Sequence, residues 1–526
     1  MTFRDLAVLG TAHHQGVPAS GTGIDEIAAA LALDTVERRT LLTVGALATY
    51  RRAGHRPVSG IAPPPVASPD TQREPPLPAV RLLRELLAHD DHVLLREACE
   101  RVARGGKRLP ATLLPTVLDL RDADLRTALR PVLGERGRWL ARFRESWSWA
   151  LASTPPSAAA FGTENERAWQ EGSFEARLAA LGAARLADPD RGRGWVEAVW
   201  AQEKSEQRVE FLRALSGTLV SGDEPFLEQA LDDRSQGVRA AAAELLAKLP
   251  GSSFVKRVTE RAAAVLSFRP PAGGLWSRVK SKVGAGSASG TVDATPPETL
   301  DPSWERDGVP RKPPKGLGER AHWVTSLLAS VPPAYWQERF AAAPEQLVAA
   351  TWAGEWGFAV ALGWSRAALL HEATSWLPPL WDGWLAANLK GVQQATQQDM
   401  LRLLLARMER AAAETRVLDV LRNPPGDLLD PALAVGLLSA PWSTGFADAY
   451  LDAFDREFRS RKPALEFLRT GYGAALALPP ERFTRATEVA TRAASAKEGH
   501  TPWTKSAEAV LEIVDLRRRI HEEIVT

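Results

Sequence analysis

Few residues able to do chemistry stand at the spacings that chemistry requires. His89-Asp90-Asp91-His92 is the densest titratable cluster. Three apart on a helix, His89 and His92 would share a face and suit a metal ion. They fall at a helix-to-helix turn, however, where aspartates cap backbone N–H groups. His13-His14 has neither cysteine nor a carboxylate at helical spacing beside it and reads as solvated loop. Gly105-Gly106-Lys107 lacks the long glycine spacing and following Ser/Thr of a phosphate loop. The GAGSASG run from Gly284 to Gly290 follows no strand and reads as linker. No nucleophile elbow or zinc-protease pattern occurs, and the single Cys99 excludes a paired-cysteine site. The residues therefore predict no catalytic set, no metal and no cofactor, and favour binding over reaction; a hydrolase without a visible motif is the residual alternative.

Two basic runs are candidate contacts. Between 256 and 282, Lys256, Arg257, Arg261, Arg269, Arg278, Lys280 and Lys282 face Glu260 alone, with Trp276 among them. Such a run is read first as a solvated linker; the alternative is phosphate contact with the indole stacked on a base. In 121–144, Arg136, Arg138, Arg142 and Arg144 are expected to lay their stems along aromatics such as Trp139 and Phe143. Eight tryptophans, Trp323, Trp336, Trp352, Trp356, Trp364, Trp376, Trp381 and Trp384, crowd one region. Spacings such as Trp352/Trp356 and Trp381/Trp384 are those of a helical core, with an aromatic cage as the alternative.

The scaffold that must carry these residues is helical. The 526 residues suffice for two or three domains, and 65 Lys+Arg against 64 Asp+Glu lack the basic excess of a dedicated nucleic-acid binder. No apolar run reaches membrane-spanning length and no leader is evident, so a cytoplasmic protein is expected. No strand signal stands out. The segments predicted are N-terminal helices over 1–60, helical hairpins over 79–151, a repeat-like core over 165–268, an irregular linker over 269–318, and a Trp-rich helical domain over 319–526, with a Pro-rich stretch at 57–78.

The clearest unit runs from Asp223 to Pro250. Pro225 suits a first helical turn, where its missing N–H has no partner to lose. Asp223 and Glu224 suit the positive end of the helix dipole. Asp232 to Ser235 make a polar turn. Val238, Ala241, Ala242, Leu245, Leu246 and Leu249 then recur at helical spacing until Pro250-Gly251. A weaker copy opens at Asp188-Pro189 and has Arg208 about thirty residues before Arg239.

This unit resembles a HEAT repeat through Asp233 in the turn, Val238-Arg239 at the next helix head and the alanine run. The resemblance implies that Asp233 and Arg239 serve in stacking between repeats. More widely, Leu9-Gly10-Thr11, Leu133–Leu140, Trp200–Lys204, Asp301–Gly308 and Lys312–Arg320 resemble an uncharacterised bacterial family of helical-repeat proteins. Ala12-His13 departs from that family's pattern. The resemblance implies a genomic setting beside SWIM zinc-finger proteins, MoxR-type AAA ATPases and von Willebrand A domain proteins, and hence an adaptor or scaffold for such partners. The expectation is an all-α, HEAT-like α-solenoid of stacked hairpins, with Trp304, Arg306, Asp307, Lys312 and Lys315 as candidate partner contacts. The alternative is a nucleic-acid-binding HEAT-like protein of the DNA glycosylase kind.

Overall fold

A computed structural model describes residues 17–30, 35–53, 65–89, 91–151, 158–271, 290–459, 465–495 and 502–524. The pairs Leu9-Gly10 and His13-His14, the GAGSASG run up to Ser289, and Trp276, Arg278, Lys280 and Lys282 lie outside these residues. The chain divides into two compact units, 1–68 and 69–526. The first contains helices α1 (Ile24–Ala30) and α2 (Val36–Ala53).

The second unit is almost wholly helical. Its first hairpin is α3 (Leu77–Ala88) and α4 (His92–Arg104). Pro78 lies in the first turn of α3, and Asp91 caps α4 by accepting from the Val93 and Leu94 N–H groups. The next elements that matter are α5 (Phe174–Ala187), α6 (Ser205–Leu215), α7 (Glu224–Ala230) and α8 (Gln236–Lys248). By their numbers, α5, α6 and α8 begin thirty-one residues apart. Ala180, Phe211 and Ala242 are buried at one position of that register, and Leu181, Leu212 and Ala243 at the next. Each helix thus buries the same stripe against its neighbours, which none could bury alone. Removing one fully buried leucine such as Leu212 or Leu246 from water is worth about 2 kcal/mol.

Polar rungs follow the same register. Arg177 donates to Glu203 at 2.6 Å and Arg208 to Asp233 at 3.2 Å. Each guanidinium lies over the tryptophan of its own unit, Arg177 over Trp169 at 4.6 Å and Arg208 over Trp200 at 5.6 Å. Asp233 thus meets the arginine one unit earlier. Arg239 instead donates to the Asp233 and Arg234 carbonyls and to the Glu305 carbonyl. The arginine at a helix head reaches forward to the following turn, and after Arg239 that place is filled by the 301–309 segment.

Helix α9 (Ser253–Val265) runs into strand β1 (Leu266–Arg269), which pairs antiparallel with β2 (Thr291–Ala294) in the register Leu266↔Ala294 to Arg269↔Thr291. This corrects one expectation, since strands are present; β2 lies within the 269–318 segment. The ribbon, with Leu266, Val292 and Ala294 buried, is part of the core. A short helix, α10 (Pro302–Arg306), leads to α11 (Glu319–Ala329) and α12 (Gly357–Leu370). Six of the eight clustered tryptophans, Trp323, Trp336, Trp364, Trp376, Trp381 and Trp384, are buried; Trp364 meets Trp376 edge-on at 5.2 Å, as a helical core requires. The last helix, α13 (Pro502–Glu523), packs on α3 and α4, so both ends of this unit meet. Among the described residues no helix is long and apolar enough to cross a membrane.

Candidate functional site

The residues singled out near 304 converge on a junction between α8, α9 and the Trp-rich helices. Asp301 caps α10 by accepting from the Ser303 N–H at 2.7 Å. One turn later Trp304 is buried, and Val309 follows it into the core. Asp307 is 4 % exposed and surrounded by cations: Arg261 donates to it at 2.6 Å, Arg257 at 3.0 Å and Arg306 at 3.2 Å. Arg306 also forks onto Asp232 at 2.6 and 3.0 Å. That hydrogen-bonded pairing raises its already high pKa. A buried carboxylate needs this compensation.

Trp304, Arg306 and Asp307 are engaged internally, whereas Lys312 and Lys315 are exposed and have no ion-pair partner among the described residues. The basic run 256–282 is likewise partly engaged: Arg257 and Arg261 hold Asp307, and Arg269 pairs with Asp293. In 121–144, the Arg126 guanidinium lies over Trp149 and that of Arg144 over Trp147.

Gly308 closes the junction at φ +87°, a conformation that disfavours side chains. A Cβ there would come within 2.7 Å of the Ala243 Cβ and 3.3 Å of the Arg239 carbonyl. Gly308→Ala is expected to cost about 2 kcal/mol through both effects. Urea unfolding of the full chain checks this; an unchanged midpoint would show that the loop does not press on α8.

Beneath this loop lies a cavity of about 320 Å³, at the small end for ligand sites. Its walls include Ala243 and Glu244 of α8, Arg261 of α9, Ser326 of α11, Ser330 just past its end, and Arg366 of α12. An open trough of about 590 Å³ lies alongside, with Val209 and Arg213 of α6 on one side and Gly237, Ala240 and Ala241 of α8 on the other. Ala240 and Glu244 line both spaces.

The cavity cations differ. Arg261 is neutralised by Asp307. Arg366 is exposed and has no carboxylate or carbonyl partner among the described residues; the protein around its guanidinium still lowers its pKa by desolvation. His322, one turn before Ser326, is buried with both ring nitrogens unpartnered; burial and then the Arg366 charge hold its pKa below the ordinary histidine value. Sequence reasoning missed Arg366, a lone arginine in an apolar helix with no motif around it.

The described walls carry hydroxyls, guanidiniums and carboxylates, but no histidine or cysteine that would activate a serine. Cys99 lies elsewhere in the core, where burial pushes its thiol up to about 12 and makes it inert. Asp91 of the His89–His92 cluster serves as the helix cap and accepts from the Tyr472 hydroxyl at 2.5 Å, while His92 lies 3.5 Å from Asp122. The described residues hold no group of three metal-ligating side chains. Of the two cations that line the cavity, Arg261 has a counter-charge and Arg366 has none among the described residues.

A family described as "Family of unknown function (DUF5691)" matches residues 2–524. No curated protein and no solved structure matches the chain.

Proposed function

The chain belongs to that family of unknown function, and on this premise we propose that it is a non-catalytic, HEAT-like helical-repeat scaffold of the cytoplasm that holds protein partners. The observation that carries the proposal is the thirty-one-residue register of α5, α6 and α8, with its Arg177–Glu203 and Arg208–Asp233 rungs. Stacked units of this kind spend one face of each helix on their neighbours and leave the other as a long surface. Here that surface is the trough along α6 and α8, lined by glycine and alanines that let another backbone approach. The exposed Lys312 and Lys315 extend the contacts available to an acidic partner.

The wider resemblance makes a MoxR-type AAA ATPase or a von Willebrand A domain protein from the same genome the first partner to test, with a SWIM zinc-finger protein next. Sedimentation velocity of the full chain mixed with each purified protein is the direct assay. A faster co-sedimenting species with at least one of them, weakened about tenfold by Lys312→Glu/Lys315→Glu, is the expected result. Independent sedimentation with all three removes these partners. Retention on duplex DNA that collapses between 50 and 200 mM salt would instead favour the nucleic-acid alternative.

A further inference from the structure

We propose that the cavity under the 301–309 loop is an anchor site for a single carboxylate, an Asp or Glu side chain of an acidic peptide segment lying in the adjoining trough, with Arg366 as the recognising group. The inference rests on the scaffold function proposed above and names the chemistry of the partner. Three observations converge on it.

The first is charge. Arg257, Arg261 and Arg306 share Asp307, Glu228 and Asp232, so the loop's cations are already matched by carboxylates. Arg213 in the trough is held by Glu210 at 2.5 Å. Arg366 alone among the described cavity cations has no partner. An unpaired guanidinium that lines a cavity can give two of its N–H groups at once to a planar carboxylate.

The second is that hydroxyls line the same cavity. Ser326 on α11 and Ser330 just past its end line the same cavity as Arg366 of α12. Their hydroxyls can donate to a carboxylate oxygen that Arg366 does not cover.

The third is shape and wall charge, which select the class of partner. The cavity continues into the trough through Ala240, and the small side chains of Gly237, Ala240 and Ala241 leave room for a peptide backbone. Glu244 and Asp307 also line the space. A polyanion such as nucleic acid would be repelled by these carboxylates and would find one free cation to offset many phosphates. A peptide bearing one carboxylate at the right place meets one cation and otherwise small, mixed walls.

The test is selection of random twelve-residue peptides on the immobilised full chain, followed by affinity measurement on synthetic winners. Peptides with a fixed Asp or Glu position are expected, and changing that residue to Asn or Gln should weaken binding about tenfold or more. Arg366→Met should bind the same peptides at least about tenfold more weakly. Ala240→Glu, an exposed change that adds a carboxylate to the trough, should abolish binding. Arg366 has no hydrogen-bond or ion-pair partner among the described residues, so an unchanged urea midpoint is expected for Arg366→Met and separates lost recognition from lost folding. Winners without an acidic position, or equal affinity for Arg366→Met, overturn this inference while leaving a peptide-binding scaffold standing. Failure to select any peptide overturns both. Duplex DNA that binds with the same dependence on Arg366 would overturn the peptide assignment.

Discussion

Replacing Asp223 by alanine is expected to destabilise the packing of α5 against the start of α7 by about 3–5 kcal/mol. Asp223 and Arg185 are both fully buried and form a two-pronged pair at 2.7 and 2.8 Å. The remaining Arg185 donors reach the Thr218 hydroxyl and the Pro189 and Thr218 carbonyls. Asp223 also accepts from the Val220 N–H and from Arg193. Burial alone would raise the Asp223 pKa; hydrogen bonding to Arg185 and Val220 outweighs it and holds the carboxyl below its usual range. Asp223→Ala leaves a guanidinium in the core with no counter-charge, and it is that orphaned charge that costs most. The double replacement Arg185→Met/Asp223→Leu should recover much of the loss, since an apolar pair of similar volume needs no compensation. Urea unfolding of the three proteins checks the ordering. A loss below about 1 kcal/mol for Asp223→Ala would show that the site relaxes to admit water and that the pair does not hold α5 to the start of α7.

The second large effect lies where the last helix meets the first hairpin. Glu97 of α4 accepts from Arg517 at 2.8 and 3.1 Å and from His521 at 2.8 Å. Arg517 is buried and also donates to the Ala475 and Leu478 carbonyls. Burial of Glu97 opposes its charge, but the hydrogen bonds from His521 and Arg517, with the Arg517 charge, bring its pKa from 4.5 down to about 2. A folded-state pKa below the unfolded one stabilises above the unfolded value and is lost as pH falls through the folded value. The contribution is therefore complete above about pH 4.5 and gone near pH 2, and the size of the shift makes it about 3 kcal/mol. Glu97→Gln should remove most of that acid dependence and lower stability at pH 7 by a similar amount. Urea midpoints between pH 7 and 3 provide the measurement. Parallel pH profiles for wild type and Glu97→Gln would mean that this hub does not hold the helices together.

What the sequence made legible follows from how locally each feature is encoded. The α7–α8 hairpin was readable because its proline, polar turn and apolar period lie within about thirty residues, and Val238, Ala242, Leu245, Leu246 and Leu249 are indeed buried. Asp223 looked like a dipole-matching acid at a helix start, yet its side chain turns inward to Arg185, thirty-eight residues earlier. The Arg177–Glu203 rung escaped notice because an arginine and a glutamate so far apart look like ordinary surface charges; Arg177 is recognisable only once α5 is aligned with α6. The β1–β2 ribbon was missed because Leu266–Arg269 and Thr291–Ala294 are four residues each and their partners lie across a glycine-rich insert. The meeting of α13 with α4 joins residues 420 apart, as Glu97 and Arg517 do, and no local pattern encodes it. At the cavity, Asp307 was visible through its loop motif, whereas Arg366 acquires meaning only when α11 is set opposite it.

Labelling of a single cysteine in the trough tests the central claim most directly. Cys99 is the chain's one cysteine and is buried and inert, so it gives no background. Ala240→Cys places a thiol where the cavity and the trough meet, and Leu186→Cys, at an 80 % exposed position on α5, serves as control. With a saturating protein or peptide partner present, the maleimide reaction at Ala240→Cys should slow about tenfold or more while that at Leu186→Cys is unchanged. Equal labelling rates at Ala240→Cys with and without a bound partner would contradict the assignment of this face as the working surface.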